Sequence, residues 1–171
     1  VPVAFAKLGS KIHLVDAKGV IIDLPAVRPG AIPQGEQETY SFPVILGIDD
    51  SDPLSVREAR MKIFGNLLQA LDSEGGNHSQ VLSEVDLSDP EDIRITTSDP
   101  AGGVLIHLGA SDFLARYKVY LANVQQWRQQ YQSLRSVDLR YERQVILNAD
   151  EPRPSEKAGK SASRTAVRRR N

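Results

Sequence analysis

The chain of 171 residues is long enough for one domain with a buried core, and its 40% apolar and 25% charged residues are typical of a globular protein. It contains no cysteine, which excludes disulfide bonds and cysteine-ligated zinc, and no apolar run reaches the roughly 18 residues that span a bilayer. The net charge of −1 hides a division: residues 151–171 hold seven basic and two acidic side chains (net +5), and residues 1–150 hold 14 and 20 (net −6).

The start of the chain indicates a fragment. It begins at Val1-Pro2 without a methionine and already inside a strand-like segment, and no signal peptide is visible. We therefore interpret the chain as part of a longer protein, whose membrane segment could lie outside it.

The first half of the chain predicts strands joined by short turns, then a loop, a strand and a helix. Gly9-Ser10 is typical of a hairpin turn, and Asp16 to Gly19 of a turn in which Asp bonds back to the backbone and Gly takes a positive φ. Ser51-Asp52-Pro53 predicts a helix start, with Pro at the first helical position. The predicted elements are strands at 3–8, 12–16, 20–22 and 43–47, a surface loop at 24–42, and a helix with the apolar face Val56, Ala59, Ile63, Phe64, Leu67 and Leu71.

The second half predicts three strands and a longer helix. Strands are expected at 81–87, 93–97 and 104–108, the last two joined by a Gly/Pro turn. Ser111 is the predicted N-cap of the second helix. Its buried stripe is predicted to be Phe113, Tyr117, Tyr120, Leu121, Val124, Trp127 and Tyr131.

Residues 137–147 are the last segment with a strand pattern. Apolar and charged side chains alternate over its first six positions, as in a half-buried strand, and an apolar run ends it. A terminal strand is often the edge of its sheet, where unpaired N–H and C=O groups can pair with another chain. The alternative is ordinary packing, with an edge blunted by Arg140, Glu142 and Arg143.

The element order β-β-β-loop-β-α-β-β-β-α-β-β predicts the fold class. Strands that come in hairpins, with two helices between them, favour an α+β domain with a largely antiparallel sheet and both helices on one face. This domain is expected to cover residues 1–148. Residues 149–171, rich in Pro, Ser, Lys and Arg, are predicted to be a disordered basic tail.

Neither a catalytic set nor a metal site is predicted. Asp49-Asp50-Ser51-Asp52 lacks the glycine and the glutamate of an EF-hand loop, so helix capping explains it better. The carboxylates near residue 90 flank a turn, and no nucleotide-binding or hydrolase motif is present. We therefore predict a protein that is not an enzyme and that needs no cofactor and no metal. No metal-ligand spacing and no paired acid and base are found among His13, His78, His107, Asp86, Asp89, Glu91 and Asp92.

The basic tail offers a second functional hypothesis. Arg168-Arg169-Arg170 and the net charge of +5 are compatible with binding to nucleic acid or to anionic lipid. A solvated terminal run of charge is the simpler explanation of the same residues.

Three motifs in order carry a resemblance to a known family. Ser136 to Tyr141, with the sequence SVDLRY, resembles the closing motif of the bacterial cell-division proteins FtsQ and DivIB. Pro2 to Gly19 is similar to the entry of that family's β domain, and Leu108 to Leu114 to the entry of its last helix. The order of elements matches over about residues 1–148.

The resemblance implies a non-enzymatic scaffold of the divisome. Such proteins are single-pass inner-membrane proteins with a POTRA domain and a β domain on the periplasmic side, and this chain resembles the β domain alone. They bind FtsB and, with it, FtsL, and connect early septal components to the peptidoglycan synthases FtsW and FtsI. No nucleic-acid partner is expected on this interpretation.

The resemblance also implies a binding mode, in which FtsB adds a strand to the final strand of the β domain, beside the last helix. Val137 and Leu139 would then hold the strand to its own core. Arg143-Gln144 stands where the family commonly has small residues. The expected partner-binding residues are Tyr141, Glu142, Arg143, Gln144, Val145 and Leu147, with Arg94 from an earlier strand.

Overall fold

A nine-stranded sheet carries two α-helices in the computed structural model, which describes residues 1–24, 41–131 and 133–148. The predicted surface loop at 24–42 and the predicted tail at 149–171 therefore lie largely or wholly outside the described residues. The strands are β1 (Pro2–Leu8), β2 (Lys11–Asp16), β3 (Ile21–Ile22), β4 (Val44–Leu46), β5 (Leu82–Asp86), β6 (Ile93–Thr97), β7 (Leu105–Gly109), β8 (Ser136–Asp138) and β9 (Ile146–Leu147). The helices are α1 (Leu54–Asp72) and α2 (Phe113–Gln130), and His78–Val81 forms a 3-10 turn.

The predicted α+β class and element order are confirmed. The strand order is β3-β2-β1-β4-β5-β6-β7-β8-β9, so strands close in sequence are mostly neighbours in the sheet. Five neighbouring pairs are antiparallel, and three (β1 with β4, β4 with β5, and β7 with β8) are parallel. The sheet is thus mostly antiparallel but mixed.

Each helix crosses between two parallel neighbouring strands. The units β4-α1-β5 and β7-α2-β8 step across the sheet in the same direction, from strands that point the same way. Right-handed crossovers therefore place both helices on one face of the sheet. Buried Phe64 and Leu67 of α1 join buried Tyr117 and Tyr120 of α2 in one core over this face.

Cross-strand register shows which side chains face this core. Val85, Ile95, Ile106 and Val137 are aligned across β5 to β8, and all four are fully buried. Because neighbouring positions on a strand alternate, the next row points away from the helices. That second row is Asp86, Arg94, His107, Asp138 and Ile146.

Both helix starts differ from their predictions. Pro53 occupies the N-cap position of α1 rather than its first turn, because its carbonyl accepts bonds from Val56 and Arg57 N–H. At α2 the N-cap position is Asp112, in a left-handed conformation (φ 56°), while the Ser111 hydroxyl donates to the Asp112 carboxylate. Ser111 is therefore not the cap.

The segment 137–147 is not one alternating strand. It folds back on itself as two short antiparallel strands, with Val137 opposite Leu147 and Asp138 opposite Ile146. Asp138, predicted to face solvent, is only 3% exposed. The reason is that neighbouring side chains cover it on the outer face of the sheet: His107 and Ile146 lie beside it in the same row, and Arg140 bonds its carboxylate.

Candidate partner-binding site

The terminal hairpin is closed by Asn148. The Asn148 backbone N–H donates to Ser136 O at 2.8 Å, while its side-chain oxygen accepts from the backbone N–H of Arg135 (2.8 Å) and Ser136 (3.3 Å). Its amide nitrogen donates to Ser133 O at 2.7 Å. Asn148 can do this because its φ of 52° is a left-handed conformation that Asn tolerates. One side chain thus joins both strands at their open end.

β9 is one of the two edge strands of the described sheet, and β3 is the other. In an antiparallel pair, every second residue bonds to the partner strand and the others point away from it. Asn148 and Ile146 lie at the positions that bond to β8, as the Asn148–Ser136 contact fixes. The N–H and C=O groups of Val145 and Leu147 therefore point toward the open edge. No described strand pairs with them there.

A cleft of about 450 Å³ lies between the start of α2 and the turn that connects β8 to β9. Its lining is half apolar and half polar or charged, and three of the apolar side chains are well exposed: Val119 (42%), Tyr141 (47%) and Val145 (38%). Val145 belongs both to the cleft and to the open edge. The lining residues are Asp112, Ala115, Arg116, Val119, Leu139, Tyr141, Glu142, Arg143, Gln144 and Val145.

Gly109 permits the close packing behind the cleft. It ends β7 with a φ of 72°, and a Cβ atom there would lie 2.5 Å from an Arg116 guanidinium nitrogen and 3.3 Å from Cγ of Arg140. Arg116 reaches back from α2 to donate to Leu108 O. This contact fixes the first turns of α2 against the sheet.

A polar network lies beside the turn, around the Asp138 carboxylate. The Arg140 guanidinium donates to both Asp138 oxygens (3.0 and 2.6 Å) and forms an ion pair with Asp92 at 3.2 Å. His107 Nδ1 donates to the same Asp92 oxygen at 2.7 Å. His107, Asp92 and Asp138 are all buried, and their side chains come from β7, the turn before β6, and β8.

The network favours the charged forms of Asp138 and Arg140. Burial by itself raises the pKa of the Asp138 carboxyl, but hydrogen bonds from Arg140 outweigh it and hold that pKa below its usual 3.8. The same hydrogen bond to Asp138 raises the pKa of Arg140. The pair is thus an ion pair at neutral pH.

The structure brings together five of the seven predicted site residues. Tyr141 to Val145 line the cleft as one continuous segment. Leu147 is partly buried against the core on the helix side of the sheet, although its main chain faces the edge. Arg94 lies on the opposite face, in β6, three strands from β9, and pairs with Asp86 at 2.8 Å. Arg94 therefore does not join the cleft.

The helix side of the cleft and the buried network were missed by sequence reasoning. The residues on the helix side of the cleft recur at intervals of three or four positions, a spacing that indicates a second, exposed face of α2. They are Asp112, Ala115, Arg116 and Val119. Asp92 and Asp138 are 46 positions apart, and no local pattern joins them.

The described residues hold no cluster of His, Asp and Glu arranged to bind a metal ion. Across the same residues, neither helix has the length and apolarity needed to cross a bilayer.

Comparison with known proteins gives the family. The model described as "Cell division protein FtsQ/DivIB, C-terminal" matches residues 4–140. The curated "Cell division protein FtsQ" of Koribacter versatilis (strain Ellin345) is 49% identical over 149 residues, which is 87% of this chain and 41% of that protein. The chain thus spans less than half the length of this relative, and the family match ends one residue before Tyr141. Over most of its length the chain belongs to the FtsQ/DivIB family of cell-division proteins.

Proposed function

We propose that this domain is a non-enzymatic scaffold of the divisome that binds an FtsB-like protein, and with it an FtsL-like protein, by strand addition along β9. The observation that carries the proposal is the open edge of β9 running beside a cleft that exposes the apolar side chains of Val119, Tyr141 and Val145. In the whole protein, a membrane segment outside this chain would anchor it in the inner membrane, with the domain on the periplasmic side.

The two parts of the site serve different purposes. The N–H and C=O groups of Val145 and Leu147 supply main-chain hydrogen bonds to an added strand, which give affinity without reading sequence. Side chains around the cleft supply register, because a slip by one residue turns every side chain of the incoming strand to its other face. Exposed apolar surface next to a free edge is typical of an interaction site.

The turn at Tyr141 refines the expected binding mode. Tyr141, Glu142 and Arg143 lie in a turn rather than in a strand, so they would contact the partner through side chains and not through a ladder. Tyr141 is the strongest candidate for an anchor, since large aromatic side chains dominate binding energy at interfaces. The cleft also carries both signs of charge, from Asp112 and Glu142 and from Arg116 and Arg143.

Replacing Tyr141 by Ala tests the cleft. We expect the affinity for the extracytoplasmic segment of the FtsB-like protein from the same genome to fall by at least ~30-fold, the loss typical of an interface anchor. Isothermal titration calorimetry measures it. Tyr131→Ala is the matched control, because Tyr131 is similarly exposed (43%) but lies at the far end of α2. Equal affinities for both variants contradict the proposal.

Replacing Val145 by Pro tests the edge. Proline has no N–H to donate to an added strand, and the Val145 N–H is not used by β8, so the domain should stay folded while binding is lost. Val145→Thr keeps the N–H and the branched shape, and should bind nearly as well as the unaltered chain. If the Pro variant folds and binds normally, main-chain pairing at β9 is excluded.

A further inference from the structure

Arg140 lies between the buried network and the partner surface. Its guanidinium bonds two buried carboxylates, Asp138 and Asp92, and its Cζ lies 5.8 Å from the ring centroid of Tyr141. The Tyr141 ring is the exposed rim of the cleft. A cation near an aromatic ring is attracted to its π-system, so Arg140 biases the position of that ring.

The same contacts fix the path of the main chain after β8. The Arg140 backbone N–H donates to an Asp138 side-chain oxygen at 3.1 Å, and the Arg140 Nε–H donates to that same oxygen. One buried carboxylate therefore holds both the backbone and the side chain of the residue two positions later. This contact sets the direction in which the chain enters the turn at Tyr141.

The turn at residues 141–145 is held in place mainly by the residues at its two ends. Residues 141–145 are all exposed, so little core packing holds them. One end is held by β9 and the other by Arg140. A binding loop that is already ordered loses less conformational entropy when its partner binds, and this raises affinity without a new contact.

We propose that Arg140 is a positioning residue for partner binding. It orders the turn and the Tyr141 ring from behind, through Asp138 and Asp92. This inference rests on the proposed function of the cleft. It requires arginine specifically, since a lysine ammonium is a point charge that cannot make the paired bonds to Asp138 while also reaching Asp92.

The test compares Arg140→Lys with Arg128→Lys. Arg128 also pairs with an aspartate, Asp99 at 3.1 Å, and bonds Gly102 O, but near the end of α2 away from the cleft. In the free protein, NMR relaxation should give backbone order parameters below about 0.6 at residues 141–144 for Arg140→Lys, the range of flexible segments. Arg128→Lys should leave them unchanged. Affinity for the FtsB-like segment should fall about 10-fold for Arg140→Lys only.

The outcomes separate this inference from the proposed function. If Tyr141→Ala loses binding while Arg140→Lys keeps both the order of the turn and the affinity, the positioning role is wrong and the cleft stands. If Arg140→Lys disorders the turn but affinity is unchanged, the role is wrong as well. If both Tyr141→Ala and Arg140→Lys bind normally, the proposed function itself fails.

Asp92→Asn tests the same positioning role if the Arg140→Lys variant does not fold. It keeps the shape of the side chain but removes one of the two charges that hold Arg140. The order parameters at 141–144 and the affinity should move in the same direction as for Arg140→Lys, by a smaller factor. Unchanged values for a folded Asp92→Asn variant count against the proposal.

Discussion

The two ends of the sheet are built differently. Near one end, β1 and β2 pair over most of their length through a two-residue connection at Gly9-Ser10, so backbone hydrogen bonds define that hairpin. The edge strand β3 adds two further register pairs to β2. At the other end, β8 and β9 share only two register pairs and are joined by the seven residues 139–145. Because this ladder is short, side-chain hydrogen bonds also hold the hairpin together. Asp138 and Arg140 supply them inside the hairpin, and Asn148 supplies them at its open end.

This difference explains where a partner surface can form. A tight hairpin uses its residues for its own ladder and leaves little of the connection to bind anything else. A hairpin that side chains hold together can leave a longer connection exposed and still ordered. The cleft beside residues 141–145 is the result.

Asp138→Ala should have the largest effect on the terminal hairpin. The variant leaves Arg140 without its main partner and removes two bonds to its side chain and one to its backbone. We expect the free energy of unfolding in urea to fall by roughly 2–4 kcal/mol, somewhat less than for a fully buried pair because Arg140 reaches solvent.

Asp16→Ala is the matched variant at the other end of the sheet. The Asp16 carboxylate accepts from the backbone N–H of Lys18 and Val20 in the turn before β3, at 2.9 Å each. Its loss should cost about 1 kcal/mol, because the β1–β2 ladder does not depend on it. Equal costs for the two variants would show that side chains support both ends alike.

Local patterns predicted the elements, because periodicity and turn residues act over a few positions. The Gly9-Ser10 hairpin, the turn at Asp16 to Gly19 and the burial of Tyr117 are confirmed. Leu121 and Tyr131 were wrongly placed in the buried stripe of α2, and are 41% and 43% exposed. Leu121 directly follows buried Tyr120 and is rotated about 100° from it around the helix axis. Tyr131 lies one residue beyond the end of α2, in an extended conformation.

Non-local contacts could not be predicted in this way. The alternation from Val137 onward places Asp138 opposite the core, but it cannot show that Asp92 and His107 will cover that carboxylate. The resemblance predicted Tyr141 to Val145 as partner-binding residues. Their meeting with the start of α2 depends on how that helix packs on the sheet, which no single segment encodes.

Substitutions of Asn148 test the open end of the terminal hairpin, and we expect them to change stability less than Asp138→Ala. Asn148→Ala removes three side-chain hydrogen bonds. It also leaves alanine at a φ of 52°, a left-handed conformation that Asn tolerates better than Ala. We therefore expect the free energy of unfolding to fall by roughly 1–2 kcal/mol. Asn148→Gly loses the same bonds but tolerates the backbone conformation. Thermal unfolding should therefore rank the Gly variant between the Ala variant and the unaltered chain.

Asn123→Ala is the control for this pair, because the Asn123 side chain donates to Val119 O on exposed α2 and joins no strands. It should change stability by no more than about 0.5 kcal/mol, as surface substitutions usually do. If Asn148→Gly is as stable as the unaltered chain, the side chain of Asn148 does not hold the hairpin.

Lowering the pH should have the smallest effect on the free energy of unfolding, and this effect reports the charge of Asp138 alone. Because its folded pKa is below the usual 3.8, ionised Asp138 stabilises the fold fully above that value. This contribution is lost as the pH falls through the lower folded pKa.

Asp138→Asn has no such ionisation, so the gap in unfolding free energy between the unaltered chain and the variant should narrow from about pH 6 to about pH 3. Urea titrations at both pH values measure the gap. Other aspartates with lowered pKa, such as Asp72 and Asp99, are common to both chains and cancel. A gap that stays constant would mean that Arg140 holds the terminal hairpin by shape and not by charge.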